Sequence, residues 1–196
     1  VYSCGSVGSQ DVSISTSLAT GTMRIVLHWG ANSGLVIVDS HLTGPDNASG
    51  RFHLYYDVIN GIDIFYYATN DFECDDCTSI QKSDNVTLDK DDQSAPGTET
   101  ITIPTDSWRS GTYRYSAHNY SKATGSDGNP TDTTFAESGT TVRVYYGDTE
   151  PRTYNVPNSA GTLWTVFTID GSSKVITPVN SMSAVRRNAA GALSIE

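Results

Sequence analysis

The sequence predicts an all-β fold, an antiparallel β-sandwich, and three observations carry that expectation. Segments of four to eight residues rich in Val, Ile, Thr and Tyr recur along the chain, each bounded by Gly, Pro, Asn or Asp. No stretch before position 180 places apolar residues at helical spacing, with caps, over ten or more positions. Strand follows strand without the alternating helices that a parallel sheet requires. A chain of 196 residues suits one such sandwich.

The elements follow in order. Asp11–Leu18 alternates, with Val12 and Ile14 set against Ser13 and Ser15. Thr20-Gly21 turns the chain into Thr22–Trp29, where Met23, Ile25 and Leu27 share a face. Leu35–Leu42 is a nearly continuous apolar run, the pattern of a strand buried on both sides. Phe52–Asp57 and Asp63–Tyr67 flank Asn60-Gly61, a pair that accepts the positive φ of a type I′ hairpin turn. Asn85–Asp89, Thr98–Ile103, Thr112–His118, Thr140–Tyr146 and Arg152–Val156 come next. Leu163–Ile169 and Lys174–Thr177 are joined by Asp170-Gly171, a second hairpin signal. Beyond Met182 the alanines admit a short helix, weakened by Gly191, or a last strand over Ala192–Ile195. Two loops are long and biased. Asp71–Asp92 holds eight acids and two lysines and so carries −6 of the net charge of −10. Ser121–Ser138, rich in Gly, Ser, Thr and Asp, reads as an exposed excursion.

Composition excludes several functions. A pI near 4.6 leaves no basic surface for nucleic acid or an anionic membrane. No apolar run approaches ~18 residues, so no membrane span is expected. Aromatic residues at 10% argue against a disordered chain. Hydrophobic and charged residues, 37% and 17%, are both scarce, and Gly, Ser, Thr, Asn and Tyr fill the difference. That is the composition of a turn-rich secreted β protein, so the expected location is extracellular or at a cell surface. The chain as given opens at Val1 with no charged segment followed by an apolar stretch, so no leader is read in it. Three sequons, at Asn47, Asn85 and Asn119, point to a glycoprotein. Cys74 and Cys77 have C-x-x-C spacing, but four neighbouring acids would raise the thiol pKa, against a redox role, and no second pair completes a zinc site. A structural disulfide is expected instead, either Cys4 to one of the pair or Cys74 to Cys77. The third cysteine is left for an intermolecular bond.

Four blocks carry a resemblance. They are Leu27-His28-Trp29-Gly30 with Asp39-Ser40-His41-Leu42-Thr43-Gly44-Pro45; Arg51-Phe52-His53-Leu54-Tyr55-Tyr56; Leu88-Asp89-Lys90-Asp91-Asp92 with Gly97–Ile103; and Gly111–Tyr115 with His118-Asn119-Tyr120. In this order they resemble the YfaP-like, DUF2135-type β-sandwich domains of secreted and surface proteins, from Met23 to Asn180. The resemblance implies an Ig-like or carbohydrate-binding-module-like sandwich without known chemistry. The family's first block commonly reads Asp-Leu-Asp-Ser-His, and here Ile37 stands in place of its first acid. The acidic, cysteine-bearing insertion is also peculiar to this chain. The expected organisation is an N-terminal extension over 1–22, a sandwich over 23–180 and a tail over 181–196.

The chemistry-bearing residues converge on one region. Asp39 and His41 share a face by the period of two, His53 lies in the next strand and His118 ends another. Asp39, Asp89, Asp91, Asp92 and Glu99 supply the oxygens that suit Ca2+, although the spacing is not that of an EF-hand. His41, His53 and His118 allow a three-histidine zinc or copper site, or a polar core in which each ring bonds a carboxylate. His28 reads as structural. No enzyme is expected: the sequence has no G-x-S-x-G elbow, and a carboxylate pair such as Asp91 and Glu99 has no specificity in so acidic a chain. Tyr55, Tyr66, Tyr67, Tyr113 and Tyr115 read as core first and as a sugar-stacking patch second. The function expected is a non-enzymatic structural or adhesive glycoprotein, self-assembling into a filament through its ends or binding an extracellular surface partner. The alternative is a Ca2+-dependent adhesin domain for a sugar or peptide.

Overall fold

The period-two alternation folds into two packed antiparallel sheets. The computed structural model describes residues 18–31, 37–45, 51–55, 65–68, 86–122 and 132–184. Its strands are β1 (Met23–Trp29), β2 (Val38–Pro45), β3 (Arg51–Tyr55), β4 (Phe65–Ala68), β5 (Thr87–Lys90), β6 (Gly97–Ile103), β7 (Thr112–Asn119), β8 (Thr141–Tyr146), β9 (Arg152–Asn155), β10 (Leu163–Asp170) and β11 (Ile176–Ser183). One sheet has the order β5-β6-β1-β8-β9 and the other β11-β10-β7-β2-β3-β4. Short 3-10 turns at Thr105–Ser107, Tyr120–Lys122 and Ala136–Ser138 complete the described chain. The all-β sandwich expected from the sequence is therefore the fold. No helix among the described residues is long and apolar enough to cross a membrane.

The core lies between the sheets. β1 contributes Met23, Ile25, Leu27 and Trp29, and β6 contributes Ile101 and Ile103 from the same register. Tyr113, Tyr115 and Ala117 of β7 face them with Trp164, Phe167 and Ile169 of β10. A bulge between Thr165 and Phe167 shifts the register of β10, so Val166 and Phe167 are both buried. Trp29 lies so close to Gly97 that a Cβ there would meet its ring, which is why β6 begins on glycine.

Several expectations shift. The run at Leu35–Leu42 becomes a strand that starts at Val38 and continues through Gly44-Pro45. Gly44, inside the strand, marks a close approach: a Cβ there would sit 2.4 Å from Tyr113 Cδ1. The hairpin at Asp170-Gly171 is not a two-residue turn. Its loop spans 171–175, Asp170 accepts from the amides of Ser172 and Ser173, and the positive φ falls on Lys174. β11 runs to Ser183, so residues 181–183 of the expected tail belong to the sheet, with Pro178 tolerated because the strand is an edge. The loop Ser121–Ser138 is not wholly an excursion, since Phe135 is fully buried edge-on to Trp164. Residues 19–22 of the N-terminal extension dock on the sandwich, where Trp108 Nε1 donates to Gly21 O. The strand over Asp11–Ser17, the turn at Asn60-Gly61, Cys4, Cys74, Cys77, the loop over 71–85 and the tail from 185 lie outside the described residues.

The sequons divide too. Asn47 and Asn85 lie outside the described residues, while Asn119 is fully buried opposite Val38. A glycan cannot be carried on a side chain sealed in the sheet, so Asn119 is removed from the expected acceptors.

Candidate metal centre

The outward face of the six-stranded sheet holds a cluster of buried polar residues. On β2, Val38 and Leu42 face the core and Ser40 Oγ meets Tyr115 Oη at 2.8 Å, which leaves Asp39 and His41 on the opposite side. β7 runs antiparallel beside it and sets His118 directly opposite Asp39 and Ser116 opposite His41. β3 sets His53 opposite Thr43, and His53 Nε2 lies 2.9 Å from His41 Nδ1. The Tyr55 ring stacks on His41 at 5.3 Å and lies tilted against His53 at 4.3 Å. Asp39, His41, Ser116 and His118 are all 0% exposed.

Burial sets the protonation of this group. Desolvation pushes His53 down to about 3, so its ring is neutral. The two facing nitrogens of His41 and His53 then share one proton, donated by one ring and accepted by the other. Asp39, His41 and His118 each present one donor atom, and the three atoms lie within 4.8 Å of one another.

Glu99 approaches from the other sheet. It occupies an inward position of β6, in line with Gly97, Ile101 and Ile103, where an apolar side chain would be usual. Among the described residues β3 pairs with β2 only from Leu42 to Pro45, and Glu99 Oε2 accepts from the Ser40 amide at 2.6 Å. A buried amide at a strand edge needs such an acceptor. Desolvation first, then the charge of Asp39 and a hydrogen bond with Asp91, raise the Glu99 pKa well above the usual carboxylate range. The same neighbourhood raises Tyr115, mainly through burial.

The five expected Ca2+ ligands are thus divided. Asp39, Asp91 and Glu99 are brought together, and Asp89 and Asp92 are not. Asp89 is exposed and accepts from Thr87 and Thr102. Asp92 accepts from Ser94 and the Thr98 amide and pairs with Lys90 at 3.2 Å. Partial burial pulls its pKa up, but those bonds and the lysine charge outweigh it and hold the carboxyl low. The three histidines do converge, and His41 is bonded to His53. His28 is exposed beside Thr98. Tyr55, Tyr113 and Tyr115 are buried, which removes them from a sugar-stacking patch, and the side chains of Tyr66 and Tyr67 lie outside the described set. Sequence reasoning missed Ser116, although its parity with His118 on one strand already placed the two on one face.

Comparison with family models, with curated proteins and with solved structures returns no match.

Proposed function

We propose that this chain is a non-enzymatic β-sandwich module of an extracellular structural or adhesive protein, and that it associates with further copies of itself through a sheet edge. One observation carries the reading. Among the described residues the exposed large apolar side chains are Val175, 58% exposed, and Val179, 44% exposed, and both lie on the β10–β11 hairpin. Among the described strands β11 is the outermost of its sheet, and six of its eight side chains are exposed. An open strand edge is a template for another strand, and apolar side chains along it favour pairing over solvation. Pro178 removes one donor from this strand, which limits the length of ladder a partner can add.

The remaining features fit the same reading. The clustered ionisable groups are sealed inside the sheet, where no macromolecular substrate would reach them. The acidic, charge-poor composition, the sequons at Asn47 and Asn85 and the ordered blocks that resemble YfaP-like sandwiches suit a secreted or surface protein. The segments before residue 18 and after residue 184 are the parts of the chain through which we propose neighbouring copies engage.

Light scattering over a range of concentrations tests this. The unaltered chain is expected to form oligomers or filaments that grow with concentration, and a V175K/V179K double variant to remain monomeric with an unchanged melting temperature. A concentration-independent monomer for the unaltered chain overturns the proposal.

A further inference from the structure

We infer that Asp39, His41 and His118 bind one Zn2+ ion, which ties β2 to β7 on the outward face of the six-stranded sheet. This site is independent of the edge association proposed above. Its first support is geometry. Three donor atoms from three side chains lie within 4.8 Å of one another, on two strands whose register sets Asp39 directly opposite His118. Zinc holds its ligands at about 2.0–2.1 Å, so ligand atoms of one tetrahedral ion stand about 3.4 Å apart. The widest spacing in the set exceeds that separation by about 1.4 Å, the closure that binding requires.

The donor chemistry selects the ion. Two imidazoles and one carboxylate suit a borderline divalent ion, whereas Ca2+ asks for six to eight oxygens. The oxygens that would make a Ca2+ shell are dispersed: Asp89 and Asp92 satisfy hydroxyls, an amide and Lys90 elsewhere. His53 supplies the feature that a metal-binding histidine needs behind it. It bonds Nδ1 of His41, which fixes that ring and leaves Nε2 as the ligand atom.

Ser116 is the independent observation. Its side chain is fully buried opposite His41, on the face that carries all three donors, and its hydroxyl has no hydrogen-bond partner. A buried hydroxyl in that condition is costly and rare. Zinc with three protein ligands takes a water as its fourth, and that water is the partner the Ser116 hydroxyl lacks. Because the site is sealed, the ion has a structural task, and it enters as the chain folds.

The test begins with the whole chain unfolded in chelator and refolded with Zn2+, Co2+, Ca2+ or no added metal. Expected are one zinc per chain after desalting, a higher melting temperature with Zn2+ than with Ca2+ or no metal, and visible absorption from Co2+ in a tetrahedral N/O site. Asp39→Asn is expected to weaken Zn2+ binding by more than about 100-fold in competition with a chromophoric chelator, and His53→Asn by about 10-fold to 100-fold. Asp89→Asn should leave it unchanged. If Asp39→Asn does not refold, histidine NMR of the unaltered chain decides, since Zn2+ must shift His41 and His118 together. Failure to retain zinc, equal stabilisation by Ca2+, histidine signals that Zn2+ leaves unmoved, or an unchanged affinity in Asp39→Asn overturns the inference.

Discussion

In β1 and β6 every second side chain faces the core and its neighbours face water; in β2 and β7 both faces are closed. Arg24, Val26 and His28 of β1 keep contact with solvent, while Met23, Ile25, Leu27 and Trp29 have none. On β2, Asp39 and His41 are as deeply buried as Val38 and Leu42 on the opposite side. The five-stranded sheet therefore stabilises the fold by burying apolar area on one face. The six-stranded sheet must in addition satisfy polar groups away from water, where each unpaired group costs free energy. Equivalent outward positions on the two sheets are thus unequal, and substitutions can measure the difference.

The largest contrast comes from a lysine placed outward on each sheet. Val26→Lys is expected to change stability by no more than about 0.5 kcal/mol, because its stem lies on a wet face. Ser116→Lys buries an unpaired ammonium and is expected to cost more than about 4 kcal/mol, or to prevent folding. Urea denaturation of both variants measures this, and similar midpoints would erase the distinction between the faces. On the inward side, Leu27→Ala should cost about 2–5 kcal/mol, the range for a leucine removed from a close-packed core.

How much of this was legible in the sequence follows the same division. Where one face is wet, alternation shows it: Met23, Ile25 and Leu27 could be assigned to the core by parity alone. Where both faces are buried, polarity misleads. Ser116 looks like a surface residue, and although the run holding Asp39 and His41 reads as closed on both sides, only the register of β2 against β7 shows what the three oppose. Parity with Ile101 and Ile103 puts Glu99 on the inward face of β6, and it is the polarity of the side chain that reads against it. Gly171 reads as a turn residue alone because close packing leaves no local trace; a Cβ there would sit 1.9 Å from Arg109 O. The convergence of Asp39, His41, His53 and His118 was legible in outline, from strand parity and strand order, and the split of Asp89 and Asp92 from Asp91 was not.

Titration separates the two regions further, in protein kept free of metal by a chelator. The His53 pKa is lowered on folding, so the unfolded chain takes up a proton below pH 6.5 that the native one refuses until about 3. Stability present above pH 6.5 is therefore lost as pH falls toward 3. Glu99 is raised, so its effect has the opposite sign: stability present below about 4.5 is lost as pH rises through its folded value. Urea midpoints across pH should fall on both sides, Glu99→Gln should flatten the alkaline limb, and a profile unaffected by that substitution would place the titration elsewhere. A smaller effect is expected at the sheet margin. Trp164 Nε1 donates to Asn180 Oδ1 at 2.9 Å, and Asn180→Ala should cost about 1 kcal/mol by thermal melting.

The smallest expected effect is the most informative about the closed face. Ser116→Ala removes one oxygen from the outward patch and changes no apolar contact of the core. Without metal, that oxygen is desolvated and unbonded, so its loss relieves a penalty of about 1–3 kcal/mol, offset in part by the small void it leaves. The net expectation is a stabilisation of up to about 1 kcal/mol in chelator, against the usual direction for a substitution inside a sheet. With Zn2+ present the hydroxyl acquires a partner, and the same substitution should become destabilising by about 1 kcal/mol. A change of sign between the two conditions would tie the buried hydroxyl to the ion. Destabilisation in both conditions would mean that Ser116 is satisfied within the apo fold, and that the outward face differs from the inward one in polarity alone.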